Sequence, residues 1–275
     1  MTSRPFTRTV VLLCCCLFFA GQAMAEKSDK LLDEIFQLSG IDSTLQQIPV
    51  LINATFDNMA GQGTDQKVID DMKTIMARVM SPEILRGSAM DHMKTELSKA
   101  EISQIHKQLK SPFARRMSAL EKEASQPDSM ANIMAFAQTL ESNPPSDQRI
   151  NLIAELVKAS NAVESSLTVR TEFVRGFLEA TSQLSPPDQR MTDEQIDEKI
   201  GMMRDQMMES VAQEIILTYF YLYRSLSDTE VESYIAMYHA PEMAHFNEEM
   251  NIAMAAAFRT AGNSMMQELA AAYGG

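Results

Sequence analysis

Residues 97–112 read LSKAEISQIHKQLKSP, and residues 226–241 read LSDTEVESYIAMYHAP. The two stretches align without a gap, and each opens with Ser-x-x-Glu. This is the pattern of a capping box, in which a serine and a glutamate side chain each satisfy a free amide of the first helical turn. The predicted boxes pair Ser98 with Glu101 and Ser227 with Glu230. The sequence therefore predicts a capped helix that occurs twice.

Both predicted helices end before a proline, which is Pro112 in the first stretch and Pro241 in the second. Proline disfavours helix in the residue before it and suits the first position of a new helix. Ser111 precedes the first proline, whereas Ala240, which has no hydroxyl for capping, precedes the second. We therefore predict a unit of helix, sharp corner and helix that is used twice.

Further similarities lie upstream of both stretches. LLDEIFQLSG from Leu31 resembles LIAELVKASN from Leu152, and TDQKVIDDM from Thr64 resembles TDEQIDEKI from Thr192. A repeat of about 120 residues is too long for a solenoid unit, so these matches indicate a duplicated helical domain. The predicted organisation is a signal peptide at 1–25, helical repeat one at 26–143 and helical repeat two at 144–275.

The composition favours helix over the whole chain. Only ten glycines occur, the good helix formers Ala, Leu, Met, Glu and Gln are abundant, and no run alternates as a strand would. The run IILTYFYLY at 215–223 is apolar nearly all round, which predicts a buried central helix in the second half. We expect an all-α fold of two similar multi-helix bundle halves.

The first corner carries a family resemblance. Its sequence KSPFARR, at 110–116, resembles the C-terminal signature of the bacterial domain of unknown function 2059, which has a tyrosine-x-Ser-Pro-x-Gly corner. Ala114 and Met243 stand where that family has glycine. The resemblance implies a secreted or periplasmic all-helical domain and implies no activity.

The first 25 residues resemble an export signal. Arg4 and Arg8 precede the apolar run VVLLCCCLFFA, and Ala-Met-Ala at 23–25 fits a cleavage site. The run is shorter than the roughly 20 residues that span a bilayer, so we predict no stable membrane anchor. All three cysteines lie in this segment, so the predicted periplasmic chain has no disulfide and no thiol nucleophile.

The chain is acidic. Without Arg4 and Arg8 it has 22 basic residues against 37 acidic residues. Such a surface repels phosphate backbones and anionic lipid headgroups, which disfavours binding to nucleic acid or to a membrane surface. A cationic partner or a metal ion stays open as a ligand.

Methionine is unusually frequent, with 22 in the chain. Thioethers are soft ligands that suit Cu(I), but methionine also fills cores and lines adaptable binding surfaces. Many stand at helical steps of three or four, as a buried face requires: Met72, Met76, Met80, Met90, Met93, Met130, Met134, Met250 and Met254. Adjacent residues point about 100° apart on a helix, so one member of each adjacent pair is expected to form an exposed interaction surface. These pairs are Met202 with Met203 and Met207 with Met208.

Three histidines, His106, His239 and His245, stand at positions that indicate a role. Glu242 and His245 form a Glu-x-x-His motif, with Glu249 on the same helix face, as in di-iron bundles. Those bundles need a second such motif, which this sequence lacks, so we predict no metal site. His239 is expected to be a cation near a helix C-terminus, and His106 a hydrogen-bonded, half-buried residue.

No catalytic motif is present. The sequence has no Gly-x-Ser-x-Gly elbow, no phosphate-binding glycine loop and no His-Glu-x-x-His, so no catalytic residue or cofactor is predicted. Our hypothesis is a non-catalytic periplasmic module that presents a methionine-lined groove to a peptide or to another envelope protein. The alternative is a soft-metal, copper-binding protein that uses its methionines.

Overall fold

A computed structural model of the protein describes residues 28–59, 66–124 and 129–273. Within these ranges the chain forms helices and has no strand, so the predicted all-α class is confirmed. The predicted signal peptide, 1–25, lies outside the described residues. No helix in the described ranges combines the length and the apolar content needed to cross a membrane.

The helices follow one another with short connections. In chain order they are α1 (28–38), α2 (Ile41–Leu45), α3 (Ile48–Met59), α4 (Gln66–Val79), α5 (Pro82–Glu96), α6 (Lys99–Leu109), α7 (Pro112–Ala124), α8 (Ser129–Ser142), α9 (Asp147–Ala159), α10 (Ala162–Leu184), α11 (Asp193–Leu222), α12 (Asp228–Tyr238) and α13 (Pro241–Tyr273). A 3-10 turn at Pro187–Gln189 separates α10 from α11.

Both predicted capping boxes are present, and the helices they begin, α6 and α12, each contain 11 residues. Ser98 Oγ accepts a hydrogen bond from the Glu101 amide at 3.3 Å, and the Glu101 carboxylate accepts one from the Ser98 amide at 2.8 Å. Ser227 and Glu230 make the same two bonds at the same distances. Local sequence thus sets the start of both helices.

The corners also have the predicted form, because α7 begins at Pro112 and α13 begins at Pro241. At the first corner Ser111 Oγ accepts a hydrogen bond from the Ala114 amide at 3.1 Å. Ala240 has no side chain that could replace this bond at the second corner. The long final helix therefore starts without a side-chain cap from the residue before its proline.

Within the described ranges, buried apolar residues form three hydrophobic clusters. The first joins α1, α5 and α6 to the start of α13, and the second joins α2, α3 and α4 to a later part of α13. The third joins α7 and α8 to α9, α12 and the end of α11. Each cluster therefore contains helices from both predicted repeats, and the exposed turn around Asn143 does not separate two cores.

The backbones of α10 and α13 approach each other closely at two glycines. A Cβ added to Gly176 would collide with the backbone of Arg259, and one added to Gly262 would collide with the backbone of Phe173. Ala257 and Ala261 of α13 are also buried. The glycines complete this contact surface, because they let the two main chains touch.

The apolar run at 215–223 is buried only in part. Tyr221 and Tyr223 belong to the third cluster with little exposed surface, but Ile216 keeps 36% of its surface exposed. The prediction of a helix buried nearly all round is therefore wrong for the first part of the run. Its neighbours α7, α8, α9 and α10 leave one side of α11 uncovered there.

Candidate functional site

An apolar cavity of about 500 Å³ lies between α2–α4 on one side and α10 and α13 on the other. This volume is within the range of ligand pockets, which are mostly apolar and carry few polar groups. Its walls include four methionines together with isoleucine and phenylalanine side chains: Met76, Met80, Met250, Met254, Ile48 and Phe258.

Helical spacing explains how the methionines come together. Met76 lies in the last turn of α4, and Met80 follows one turn later, directly after Val79, with its amide bonded to the Met76 carbonyl at 2.9 Å. Met250 and Met254 lie one turn apart on α13, so the members of each pair point to the same side. Met80 and Met250 are buried, whereas Met76 and Met254 are partly exposed to the cavity. Because methionine is unbranched and polarizable, such walls can adapt to apolar ligands of different shapes.

A smaller polar recess of about 150 Å³ adjoins this cavity. Ser39 and Thr44 line both the cavity and the recess, and Glu121 lies on the recess wall. Glu121 Oε1 accepts hydrogen bonds from the hydroxyls of Tyr223, at 2.8 Å, and Tyr234, at 2.5 Å. Burial raises the pKa of Glu121, and the two tyrosine hydrogen bonds act in the opposite direction.

Sequence reasoning did not identify Glu121, although a signal was present. On α7 it follows Ala114 and Met117 at steps of three and four, and both of these residues are buried. An acidic residue on the apolar face of a helix is unusual, because an unpaired buried charge is costly. Glu121 lies nine residues after Pro112, and Met250 lies nine residues after Pro241. The corner alignment therefore places an acidic residue in the first stretch where the second has methionine.

Four tyrosines, from the end of α11, its C-cap and α12, form a cluster around the two that bind the Glu121 carboxyl. The rings of Tyr219 and Tyr223 meet edge to face at 5.3 Å, as do those of Tyr223 and Tyr234 at 5.8 Å. Tyr219 is hydrogen-bonded to Ser160 at 2.9 Å, and Tyr238 lies within 3.3 Å of the Tyr234 hydroxyl. Burial raises the pKa of these tyrosines, so they stay neutral hydrogen-bond donors.

The methionine pairs of α11 lie elsewhere. Met202 and Met208 are exposed, whereas Met203 and Met207 are half-buried, as expected for neighbours on a helix. None of the four is among the described residues that line the apolar cavity. Their role as an interaction surface stays a prediction.

Histidine–glutamate pairs connect α13 to α5 and α6. His245 Nδ1 is 2.8 Å from Glu101, its Nε2 is 3.6 Å from Glu249, and Glu249 is also 2.7 Å from His92 Nε2. The hydrogen bond to Glu101 raises the pKa of His245, and hydrogen bonds from Ser98 and His245 lower the pKa of Glu101 to about 2. These pairs are best understood as contacts between helices.

The other histidine positions agree with their sequence interpretation. His106 is half-buried and its Nε2 is 2.7 Å from Glu34, and His239 is the C-terminal cap of α12. Glu242 accepts a hydrogen bond from Gln108 at 2.7 Å, whereas His245 is paired with Glu101 and Glu249. In the described ranges no group of three or more His, Cys, Asp or Glu side chains is arranged to hold a metal ion.

No known protein family, curated protein or solved structure matches this chain. The described residues define an all-helical protein with a methionine-lined apolar cavity. Any assignment of function therefore depends on the geometry of that site.

Proposed function

We propose that this protein is a non-catalytic binding module of the bacterial periplasm, whose methionine-lined cavity takes an apolar segment of a peptide or of another envelope protein. The observation that carries this proposal is the cavity of about 500 Å³ walled by Met76, Met80, Met250 and Met254. Apolar side chains that enter such a cavity leave water, at a gain of about 25 cal/mol per Å² of buried apolar surface.

The chemistry of the walls supports binding over catalysis. The residues that line the cavity are apolar or carry hydroxyl and amide groups, and no ionisable side chain is among the described ones. A catalytic site needs groups that exchange protons or attack a substrate, positioned around a reacting atom. The export signal predicted at 1–25 supports the periplasmic location.

We also propose that the fold contains an internal duplication, and equivalent hydrogen bonds support it. Ser39 Oγ donates to the carbonyl of Phe36, and Ser160 Oγ donates to the carbonyl of Val157. The next pair follows at the same spacing along the chain. Thr44 Oγ1 donates to the carbonyl of Gly40, and Ser165 Oγ donates to the carbonyl of Asn161.

In this proposal the two repeats have exchanged the helices that follow their proline corners, which are α7 and α8 in repeat one and α13 in repeat two. Met117 of α7 and Phe246 of α13 stand at the same distance after their corner prolines. Met117 packs in the third cluster with α9, α11 and α12, whereas Phe246 packs in the first cluster with α1, α5 and α6. The resemblance of the corner at 110–116 to the domain of unknown function 2059 agrees with such repeats.

Soft-metal binding is a second candidate, because four methionines, two at the end of α4 and two on α13, line the same cavity. Thioethers prefer Cu(I), which is a soft ion. Metal binding and apolar peptide binding require different properties of the methionines. A metal site needs their sulfur atoms, whereas an apolar binding site needs only their volume and flexibility.

Substitution of all four cavity methionines by leucine separates these two candidates, because methionine and leucine have similar volumes. The probes are Cu(I), titrated against a chromophoric chelator, and a fluorescent amphipathic peptide of leucine and glutamine. We expect the peptide to bind both the original protein and the leucine variant. Copper binding that is stoichiometric in the original protein and lost in the variant would favour the metal site instead.

A blocking variant tests whether the peptide enters the cavity. Ser165→Phe places a ring at the cavity wall, and Ser210→Phe places one on the exposed face of α11. Both serine hydroxyls donate to a carbonyl of their own helix, which makes the two changes comparable. We expect Ser165→Phe to abolish peptide binding and Ser210→Phe to leave it unchanged. Equal binding by both variants would exclude the cavity as the site.

A further inference from the structure

The polar recess beside the cavity offers hydrogen-bond acceptors. The hydroxyls of Ser39 and Thr44 donate to the carbonyls of Phe36 and Gly40 at 3.3 and 3.2 Å. Ser118 likewise donates to a backbone carbonyl at 3.0 Å. Because the hydroxyl protons of Ser39, Thr44 and Ser118 are already used, the lone pairs of these three oxygens are what a ligand would meet.

Glu121 adds a carboxyl group to the same recess. Its Oε1 is held by the hydroxyls of Tyr223 and Tyr234, so the group has a fixed position. In the described part of the chain no Lys, Arg or His forms an ion pair with it. Lys122 also borders the recess but is exposed and has an interaction of its own.

An ammonium or guanidinium group carries only donors and therefore complements this set of oxygens. A carboxylate or phosphate would meet lone pairs and a carboxyl, which disfavours an anionic ligand. The overall charge points in the same direction, because the chain has 37 acidic against 24 basic residues. A positively charged partner is thus attracted over distance and matched at the recess.

We propose that the partner segment is a cationic amphipathic peptide, with apolar side chains in the methionine-lined cavity and one lysine or arginine side chain in the recess facing Glu121. This inference rests on the proposed function of the cavity and adds the chemistry of its ligand. Ser39 and Thr44 line both spaces, so the apolar part of the segment and its basic side chain would lie on either side of these two residues.

The test compares three amphipathic peptides that share their leucines and carry lysine, glutamine or glutamate at the polar positions. Binding to the purified protein is measured by fluorescence anisotropy at one salt concentration over a series of pH values, because burial raises the pKa of Glu121 and the carboxyl attracts the lysine only when ionised. We expect the lysine peptide to bind about tenfold more tightly than the glutamine peptide, and the glutamate peptide to bind most weakly. Equal affinity for the lysine and glutamine peptides would overturn the proposal.

Two variants test whether the recess causes the preference for the lysine peptide. Glu121→Gln keeps an oxygen that can accept from both tyrosines but cannot become charged, and Ser43→Lys places an ammonium group of the protein itself at the recess. We expect both variants to bind the lysine and glutamine peptides equally. Glu141→Gln, at an exposed position on α8, controls for the loss of one acidic charge and should keep the tenfold preference.

The possible failures are distinguishable. If all three peptides bind equally and Ser165→Phe abolishes their binding, the cavity is the site and the cationic ligand is wrong. If no peptide binds, or if Ser165→Phe has no effect, the proposed function itself fails. A preference for lysine that survives both Glu121→Gln and Ser43→Lys would place the charge recognition elsewhere on the acidic surface.

Discussion

Gly40 and Asn161 adopt the same left-handed backbone conformation, with φ of 81° and 53°, immediately before the helices α2 and α10. In the described ranges they alone have positive φ. They occupy the last position of the aligned segments LLDEIFQLSG and LIAELVKASN. Glycine and asparagine are the residues that tolerate this conformation best, which explains why the two positions differ in residue but share their geometry.

Replacing Gly40 by alanine should therefore strain the backbone. The added Cβ has space, since its nearest neighbour is 4.0 Å away, so the cost comes from φ alone. We expect the free energy of unfolding to fall by about 1 kcal/mol, measured by urea denaturation. Gly201→Ala is the control, because its Cβ meets nothing within 4 Å in a helix and should raise stability by roughly 0.5–1 kcal/mol. An unchanged stability for Gly40→Ala would contradict the strain.

The contact between α10 and α13 should be sensitive to a single methyl group. Gly262→Ala forces a Cβ against the backbone of Phe173, so the two helices must separate. We expect a loss of about 3 kcal/mol in the free energy of unfolding, at the upper end of overpacking effects. Gly87→Ala, in α5 with nothing within 4 Å of the new Cβ, should not destabilise the protein. Similar effects of both changes would show that the helices do not touch here.

Glu121 should make stability fall as pH rises. Its folded pKa is raised by burial above the unfolded value near 4.5, so the folded protein retains a proton that the unfolded chain releases. Its contribution is complete below pH 4.5 and is lost as pH rises through the folded pKa. We expect urea denaturation to show that the original protein loses stability over this interval relative to Glu121→Gln. Parallel pH profiles for the two proteins would contradict a raised pKa.

The pair of His245 and Glu101 should stabilise the protein within a pH window. The pKa of His245 is raised, so its contribution is present below the unfolded value of 6.5 and is lost as pH rises through the folded pKa. The pKa of Glu101 is lowered to about 2, so its contribution is present above 4.5 and is lost as pH falls towards 2. We expect His245→Gln to be most destabilising between pH 4.5 and 6.5.

The control for this pair is Glu101→Gln. Glutamine keeps the capping box with Ser98 but removes the charge opposite His245. The pH dependence of the double variant should then match that of either single variant, as a double-mutant cycle would show. If His245→Gln costs the same stability at pH 5.5 and at pH 9, the histidine acts through packing and not through charge.

If the proposed exchange of α7 and α13 is correct, neither proposed repeat folds alone. Residues 144–275 alone would lack α7, whose Met117 is fully buried in the third cluster. Residues 26–143 alone would lack α13, which completes the first and second clusters. We expect each half to lack a cooperative thermal transition by circular dichroism, and the two halves to restore it when co-expressed. A cooperative transition in residues 144–275 alone would contradict the exchange.

The sequence predicted only part of the candidate site. The methionines at 76, 80, 250 and 254 were recognised by their helical steps, but their steps are equally compatible with a closed core. Met90 and Met93 have the same kind of spacing and are fully or almost fully buried in the first cluster. Whether a methionine lines a cavity depends on the helix that faces it, which spacing does not specify.

The sequence by itself determined the helices, their capping boxes, the proline corners and the repeated pattern, because these depend on residues within a few positions of one another. Only the tertiary structure decided that α7 and α13 pack in opposite cores, that Gly176 and Gly262 meet, and that Glu121 faces two tyrosines. The physical reason is that apolar helix faces are largely interchangeable, so their pairing follows from the packing of the whole chain.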